Sequence, residues 1–587
     1  MNRKKDMEDC LVKPYTSIMP TQTQDRERYL NLILDSESEK KLIVAGPGTG
    51  KTYTFKQILD NLGPGNYLVL SFIRKLVDDL AKELGDAAEV KTFHAFCKRI
   101  LHETQGKVDI YPSLSEIIQN DAELLDLDYS DFESKFRNLE EEAPEIAFFL
   151  ARGDYYEYLS FDDSVYRLYQ SLKEDNSIVE DYDQIIVDEY QDFNKLEVEF
   201  LNELENKGPM LVVGDDDQAI YGARSSSPEF IRDKYNSDEY EIFELPYCSR
   251  CPEVIVNSVN AFIANVIEND GLEDRLEKSY LPYTDGKDEL NRLYPNIKVI
   301  AVPVIVTIAK YIDLEIRKIP LAEIIESNNP DSSYPTVLII GQKHYLSELQ
   351  KKLVKCYPQI EFDKKSQEDN SKILDGLKIL IKDEDSNLGW RIIAGELLSG
   401  IAIKTAVIES RELTPFRELL EEDFKRPILE VITLIKAIQQ ESREFSRAEK
   451  LILRRDFSDA AELIIKYFSP SVEEEPFEQD PEEPTILLRT FEGSKGLSGG
   501  HIFIVGANDG SIPKIDGTEI PDIECCKFIV ALTRTRKQCH IISNRWLNSP
   551  VDENGTFLDR FNRSTFIDLI PTEYIDDLGY KKSAEIK

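Results

Sequence analysis

The sequence predicts an α/β protein with two parallel-sheet cores, each of which carries a mainly helical insertion. Short apolar runs followed by amphipathic stretches dominate residues 41–260 and 485–545, a pattern typical of strand–helix units in a parallel sheet. Residues 95–175 and 385–470 are instead predicted to be helical. Residues 471–484 are rich in proline and glutamate and cannot pack a core, so we expect a flexible connector there.

These patterns also place the boundaries of each unit. We expect the first core over 1–94 and 176–240, the first insertion over 95–175, the second core over 241–384 and 485–587, and the second insertion over 385–470. The apolar runs that predict strands are Leu42–Ala45, Tyr67–Phe72, Gln184–Val187, Met210–Val213, Thr336–Ile340, Thr485–Arg489 and His501–Val505.

Composition restricts the class of protein without indicating its chemistry. Among 587 residues, 110 are acidic and 71 basic, a formal net charge of −39. This acidity argues against a protein that binds nucleic acid mainly through a basic surface, although it leaves room for a local basic track. No apolar run is long enough to predict a membrane span. Eight cysteines in so long a chain, and no apolar segment after the first basic residues, predict a cytoplasmic protein.

A glycine-rich segment predicts a phosphate-binding loop. The apolar run Leu42–Ala45 leads into GPGTGKT and then into a helix-compatible stretch. Backbone N–H groups of such a loop surround phosphates, and the helix N-terminus that follows favours anions. Lys51 is expected to reach the β- and γ-phosphates and the Thr52 hydroxyl to bind Mg²⁺. The candidate nucleotide-binding residues are Ala45, which stands at the usual first glycine, Gly46, Pro47, Gly48, Thr49, Gly50, Lys51 and Thr52.

A second apolar strand ends in two acidic residues, Asp188 and Glu189. A carboxylate at a strand end can hold Mg²⁺, and its neighbour can orient and deprotonate an attacking water. Adjacent acidic residues after a strand are common, so the pair alone is weak evidence. Together with the phosphate loop it predicts Mg-dependent nucleotide hydrolysis, with Asp188 on the metal and Glu189 as the base.

A series of motifs in this sequence resembles those of the UvrD/Rep/PcrA-like branch of superfamily 1 DNA helicases. The stretches that carry the resemblance are MPTQTQDRERYL (19–30), AGPGTGKT (45–52), LSFIRK (70–75), KTFHAF (91–96), VDEYQD (187–192), VVGDDDQAIYGAR (212–224), LPYCSR (245–250), LRTFEGSKGLSGG (488–500) and FIVALTRTR (528–536). They occur in the order that the family shows, and the stretch at 212–224 is the most specific.

The resemblance implies two RecA-like P-loop cores that hold Mg-ATP between them and move 3′ to 5′ on single-stranded or tailed duplex DNA. It implies that Gln218 senses the γ-phosphate and that Arg250 and Arg534 are arginine fingers, which suits the charge that develops on the transferring phosphoryl group. Gln24 and Gly496 would contact the nucleotide. The implied DNA contacts are Phe72, Arg74, Thr92, His94, Tyr221 and Arg224, with Phe96 as a further aromatic candidate.

The chain departs from the family pattern at several of these positions. Ala223 replaces a large aromatic residue that stacks on a base, Ser498 a glutamate that contacts the ribose, and Ser249 a tyrosine that often stacks on adenine. Tyr53, directly after Thr52, replaces a common arginine, and our hypothesis is that Tyr53 stacks on the base instead. We therefore expect ATP hydrolysis, with unwinding weaker than in the family.

Three questions stay open at the level of sequence. Cys248-x-x-Cys251 and Cys525–Cys526 could converge on a metal, although the second spacing is unusual and buried free cysteines are common. The basic segment 425–455 is either a docking site for duplex DNA or an acidic partner, or a solvated helical face. The chain is either a DNA translocase and helicase or a DNA-sensing ATPase subunit that works beside a protein partner such as a nuclease; an RNA-directed enzyme is less favoured.

Overall fold

The computed structural model describes residues 21–72, 74–106, 109–329, 332, 334–362, 371–470, 480–515, 519–551 and 558–586. Within them, two all-parallel sheets form the two cores. The first sheet has the order β3-β2-β4-β5-β1-β6 and comprises β1 (Lys40–Ala45), β2 (Tyr67–Ser71), β3 (Glu89–Thr92), β4 (Gln184–Val187), β5 (Met210–Gly214) and β6 (Glu241–Leu245). A two-stranded ribbon pairs β7 (Tyr247–Cys248) with β8 (Leu281–Pro282).

The second sheet has the order β11-β12-β10-β13-β14-β9-β15. Its strands are β9 (Ile297–Val302), β10 (Val337–Ile340), β11 (Glu361–Phe362), β12 (Ile486–Arg489), β13 (Gly499–Val505), β14 (Thr535–Asn544) and β15 (Ile575–Tyr580). Because both faces of a parallel sheet are covered by helices, its central strands are apolar on both sides, as the fully buried β13 illustrates.

Helices surround both sheets and form the two insertions. In the first half of the chain they are α1 (Gln22–Leu34), α2 (Lys51–Leu62), α3 (Arg74–Leu84), α4 (Phe93–Gln105), α5 (Leu114–Leu124), α6 (Phe132–Arg137), α7 (Pro144–Tyr156), α8 (Phe161–Glu174), α9 (Lys195–Leu204), α10 (Glu229–Tyr235) and α11 (Glu253–Ile267). The others are α12 (Asp288–Leu293), α13 (Ile305–Ile316), α14 (Leu321–Ser327), α15 (Lys343–Leu353), α16 (Lys372–Lys382), α17 (Asn387–Leu397), α18 (Ile401–Glu409), α19 (Glu422–Glu441), α20 (Arg447–Phe457), α21 (Ala461–Phe468), α22 (Asp522–Leu532) and α23 (Thr565–Asp568). No helix in the described ranges is long and apolar enough to cross a membrane.

One hydrophobic core continues from the first sheet through both insertions. Alternate residues of β1 face opposite sides: Leu42 and Val44 join this core, whereas Ile43 packs under α2. The same core includes Phe149 of the first insertion and Ile432 of the second. The second insertion leaves the second core between β11 and β12 but packs against the first insertion.

The predicted α/β class is confirmed, and each predicted strand is present to within two residues. Two boundaries differ from expectation. Glu241–Leu245, assigned from sequence to the second core, is the edge strand β6 of the first sheet and pairs with β1. The second helical unit begins at Lys372 rather than 385, because α16 packs on α17. Residues 471–479 of the predicted connector lie outside the described residues, and Asp480 follows them.

Candidate active site and nucleic-acid interface

The phosphate loop connects β1 to α2. Gly48 and Gly50 adopt φ values of +75° and +94°, a backbone region that disfavours side chains. Space is equally restrictive, because a Cβ atom at Gly48 would lie 2.5 Å from the Cβ atom of Arg250. The loop glycines therefore allow both the tight turn and the close approach of the second core. The Thr49 hydroxyl donates to the carbonyl of Gly46 (2.9 Å) and braces the turn.

A cavity of about 270 Å³ lies between the loop and the second core. Loops that follow β1, β4 and β5 bring the first core's residues to its wall, as expected at the carboxyl edge of a parallel sheet. Its lining residues are Pro47, Gly48, Thr49, Gly50, Lys51, Thr52, Asp188, Glu189, Gln218, Ser249, Arg250, Gly496, Arg534 and Arg536. All of these except Ser249 and Arg536 are predicted site residues, so the structure brings both segments of the first core and both predicted arginine fingers to one cavity.

Lys51 and the two acidic residues form a buried charged cluster on the first core's side. The Lys51 ammonium donates to Glu189 and lies 3.4 Å from an Asp188 oxygen. Burial raises the pKa of Asp188 above its usual range. Burial also opposes the charge of Glu189, but Lys51 and Lys495 outweigh it and hold the pKa of Glu189 well below its ordinary value. With both lysines in contact, Glu189 is accordingly a carboxylate at neutral pH.

Lys495 crosses from the second core to this cluster. Its ammonium donates to Asp192 (2.7 Å) and to the carbonyl of Gln218 (2.6 Å), and lies 3.7 Å from Glu189. Its side chain is almost fully buried. Lys495 was not predicted as a site residue, because no local signal shows that it contacts strand ends some three hundred residues earlier.

The second core contributes Arg250 and Arg534, which have no carboxylate partner within the part of the chain that the structure describes. Nη1 of Arg250 is buried without a hydrogen-bond partner among the described residues. Arg534 is fully buried and donates to two backbone carbonyls and to the Gln218 side chain (3.4 Å). Burial and the nearby Arg250 lower the pKa of Arg534 to about 10, so it stays charged at neutral pH. A buried guanidinium with an unused donor fits an anionic ligand.

The other residues that the sequence predicts to contact the nucleotide do not line this cavity. Tyr53 is half exposed and lines an adjoining cavity with Thr49 and Gly50. Gly46 lines a small cavity beneath the loop, and Ala45 is buried at the end of β1. Gln24 lines none of these cavities; its side-chain oxygen accepts from the Thr21 backbone N–H and caps α1.

Four of the predicted DNA-contact residues cluster on the first core. The centroid of the Phe72 ring lies 6.2 Å from the ring centroid of His94 and 5.9 Å from that of Tyr221. The Arg224 guanidinium stacks 4.3 Å from the Phe72 ring centroid. Burial, with Arg224 and Arg137 nearby, lowers the pKa of His94 to about 3, so its imidazole is neutral. We name Phe72, His94, Tyr221 and Arg224 the aromatic cluster.

Thr92 and Arg74 are the other DNA-contact candidates predicted from the sequence. Thr92 caps α4 by accepting from the Ala95 N–H, and the side chain of Arg74 lies outside the described residues. The suggestion that Phe96 stacks on a base is wrong, because Phe96 is fully buried in the core. Phe161 was not among the DNA-contact candidates from the sequence. Its side chain is 44% exposed, and its ring centroid lies 5.6 Å from that of His94.

Contacts in the structure bear on two questions that the sequence left open, the metal site and the basic segment 425–455. Within the described residues, the one group of three ligand side chains close enough to hold a metal is Asp215, Asp216 and Asp217. The Lys278 ammonium forms an ion pair with each of these three carboxylates. The four cysteines form no such group there. In the basic segment, most cations pair with acidic neighbours, which favours the solvated helical face.

Comparison with known proteins finds similar sequences. A family profile described as an AAA domain matches residues 31–224. A probable DNA helicase II homolog of Mycoplasma genitalium is 22% identical over 91% of this chain and 87% of its own. The ATP-dependent DNA helicase PcrA of Staphylococcus epidermidis is 29% identical over 38% of this chain and 37% of its own. One subunit of an ATP-dependent helicase/nuclease of Lactobacillus helveticus is 32% identical over 19% of this chain and 11% of its own.

The regions that match known proteins include the segments that form the site. The family profile covers the phosphate loop, the acidic strand end and the aromatic cluster, and the Mycoplasma relative aligns through both cores and both insertions. Two parallel-sheet cores face one another across a cavity that contains the motif residues. The chain is therefore similar to UvrD-like superfamily 1 DNA helicases, and to the Mycoplasma relative over most of its length.

Proposed function

We propose that this protein hydrolyses Mg-ATP between its two cores and uses the cycle to move 3′ to 5′ along single-stranded DNA, with unwinding of tailed duplexes. The observation that carries the proposal is the composition of the cavity. Lys51 and the acidic pair come from the first core, and Arg250 and Arg534 come from the second. A site divided in this way is complete only when the cores are close, so ligand binding is linked to their separation.

The residues have distinct roles in this proposal. Lys51 and the loop N–H groups bind the β- and γ-phosphates, and Glu189 orients and deprotonates the attacking water. Arg250 and Arg534 stabilise charge on the transferring phosphoryl oxygens. Thr52 and Asp188 would hold Mg²⁺, which supplies charge neutralisation at the phosphates. In the structure the Lys51 ammonium contacts both carboxylates of the acidic pair.

A short segment links the nucleotide cavity to the aromatic cluster. Gln218 lines the cavity and contacts Arg534 and Lys495, and Tyr221 follows three residues later. The Tyr221 hydroxyl donates to the carbonyl of Glu492 on the second core (3.0 Å). Movement of the second core at Gln218 therefore also changes the contacts of Tyr221. Bases stacked on such aromatic rings gain ~1–3 kcal/mol each, independent of sequence.

The test is the ATPase rate with and without single-stranded DNA, using Lys51→Ala as the inactive control. Strong stimulation that the variant lacks supports a DNA-coupled motor. Displacement of streptavidin from biotin placed at the 3′ or the 5′ end of an oligonucleotide then gives polarity. Faster displacement from the 3′ end contradicts the proposed direction, because a 3′-to-5′ motor runs into a block at the 5′ end.

A second candidate is a DNA-sensing ATPase subunit that acts with a protein partner such as a nuclease. The observation that favours it is a group of exposed apolar side chains on the second insertion, where Ile401 is 85% and Leu413 73% exposed. The similarity to one component of a helicase/nuclease agrees with this alternative. Native mass measurement of the complex from its host discriminates the two, because a motor that acts alone would be recovered without a stoichiometric partner.

A further inference from the structure

A second cavity of about 450 Å³ adjoins the phosphate site. Thr49, Gly50 and Ser249 line both cavities, so the second opens directly from the first. Ser249, where the family often has tyrosine, contributes only a small side chain to the wall that the described residues form here. A nucleotide whose phosphates occupy the loop would extend its base into this cavity.

The walls of this cavity suit a flat aromatic ligand. Tyr53 comes from α2 and Tyr283 follows β8, and the Arg26 guanidinium lies against both rings, 6.0 Å and 5.4 Å from their centroids. Tyr53 is 49% exposed, so its face is available for stacking. Nη2 of Arg26 lies 2.9 Å from where a Cβ atom of Gly50 would be, which places this group beside the phosphate loop. Two aromatic faces and a planar cation are good stacking partners for a base.

The glutamines that could recognise the base edge have other contacts. The Gln22 side-chain oxygen accepts from the N–H and the hydroxyl of Thr284 (2.9 and 3.0 Å), and its amide donates to the Pro282 carbonyl. The Gln24 oxygen caps α1 and its side chain does not line the cavity. Among the polar side chains that do line it, the Glu27 carboxylate can accept from the exocyclic amine of adenine or of guanine, whereas the Thr23 hydroxyl contacts Tyr283 and Asp285.

We propose that the cavity formed by Tyr53, Tyr283 and Arg26 holds the nucleobase by stacking, so that the enzyme accepts purine nucleoside triphosphates generally rather than ATP alone. This inference rests on the proposed nucleotide hydrolysis and deepens it. Purines have a larger stacking surface than pyrimidines, and stacking does not distinguish adenine from guanine. Selection by edge hydrogen bonds, in contrast, rejects an analogue with the wrong pattern by large factors.

The experiment compares kcat and KM for ATP, GTP and CTP in the wild type and in Tyr53→Ala, Tyr283→Ala and the matched Phe variants. In the wild type we expect kcat/KM for ATP and GTP within about fivefold of each other, and a value for CTP about tenfold lower or less. Each Ala substitution should raise KM for both purines about tenfold with kcat nearly unchanged, whereas Phe should preserve the wild-type KM.

Affinity for ADP and GDP, measured by calorimetry, separates base recognition from hydrolysis. If neither triphosphate is hydrolysed but ADP and GDP bind similarly and Tyr53→Ala weakens both, the proposed function fails and the stacking inference stands. A preference for ATP over GTP above about 50-fold that Gln24→Ala removes would overturn the inference. Unchanged purine affinities in folded Tyr53→Ala and Tyr283→Ala would overturn it as well.

Discussion

A buried charged network joins the two helical insertions, and its removal provides a sharp test of how they are held together. Asp121 of the first insertion is fully buried. It accepts from Nε of Arg391 of the second insertion (2.8 Å), from Nε of Arg152 (2.8 Å) and from the Tyr156 hydroxyl (2.6 Å). Asp121→Ala would leave two buried guanidinium groups without their carboxylate, so we expect a large loss of stability.

The magnitude follows from burial. Removing one partner of a buried ion pair costs about 3–5 kcal/mol, because the remaining charge stays desolvated. The matched control is Lys404→Ala, since Lys404 and Asp126 join the same two insertions at the surface (2.7 Å). An exposed pair of this kind contributes about 0–1 kcal/mol. For typical urea dependence these values correspond to midpoint shifts of about 1–2 M and below about 0.5 M.

The assay can be made local to the insertions. The chain has two tryptophans, Trp390 and Trp546. Trp390 is fully buried beside Arg391, so a Trp546→Phe background leaves its fluorescence as a probe of the joined insertions during urea unfolding. Equal midpoint shifts for Asp121→Ala and Lys404→Ala would refute the reasoning, because they would show that burial gives the network no additional stability.

Three other predictions follow from single sites. Gly48→Ala places a Cβ atom 2.5 Å from that of Arg250 and should lower ATPase kcat/KM at least 100-fold. The control Gly63→Ala has a similar φ but open space around the added Cβ atom, so it should retain most activity. Equal losses of activity in the two variants would contradict the steric reason. Burial raises the pKa of Glu197 to about 7, so the folded protein loses stability as pH rises from about 4.5 to 7. Glu197→Gln should therefore be about 2–3 kcal/mol more stable than wild type at pH 8 and equal to it at pH 4. Parallel curves of unfolding free energy against pH for the two proteins would contradict this. Arg224→Ala should weaken binding of single-stranded DNA and reduce the salt slope of log Kd by about 0.7, and an unchanged slope would exclude a phosphate contact.

Local signals predicted the parts of the site that lie on one segment. The phosphate loop is identifiable because a buried strand, closely spaced glycines and a helix follow one another, and Gly48 and Gly50 do adopt the backbone conformations for which glycine is suited. The acidic pair at the end of β4 is identifiable for the same reason. Phe96 shows the limit of such signals, because an aromatic residue in a motif faces the core or the surface according to the helix that carries it.

Contacts between distant segments were not predictable in this way. No periodicity or spacing indicates that Lys495 reaches Asp192, or that Tyr283 and Arg26 lie beside Tyr53. The expected role of Gln24 illustrates the same point, because its motif position is evident while its side chain caps a helix. The boundary at β6 was missed because an edge strand that follows a helix of its own core resembles the first strand of the next core.

The sequence by itself determined the fold class, the phosphate loop with its acidic strand end, and the resemblance to a helicase family, because each depends on residue types at short fixed spacing. The tertiary structure alone decided three other features: which arginine has, among the described residues, a buried donor without a partner at the cavity, how the second insertion joins the first through Asp121, and which aromatic residues surround the space for a base. The physical reason is that these features depend on the packing of segments far apart in the chain, and burial and charge balance at such contacts are properties of the assembled cores.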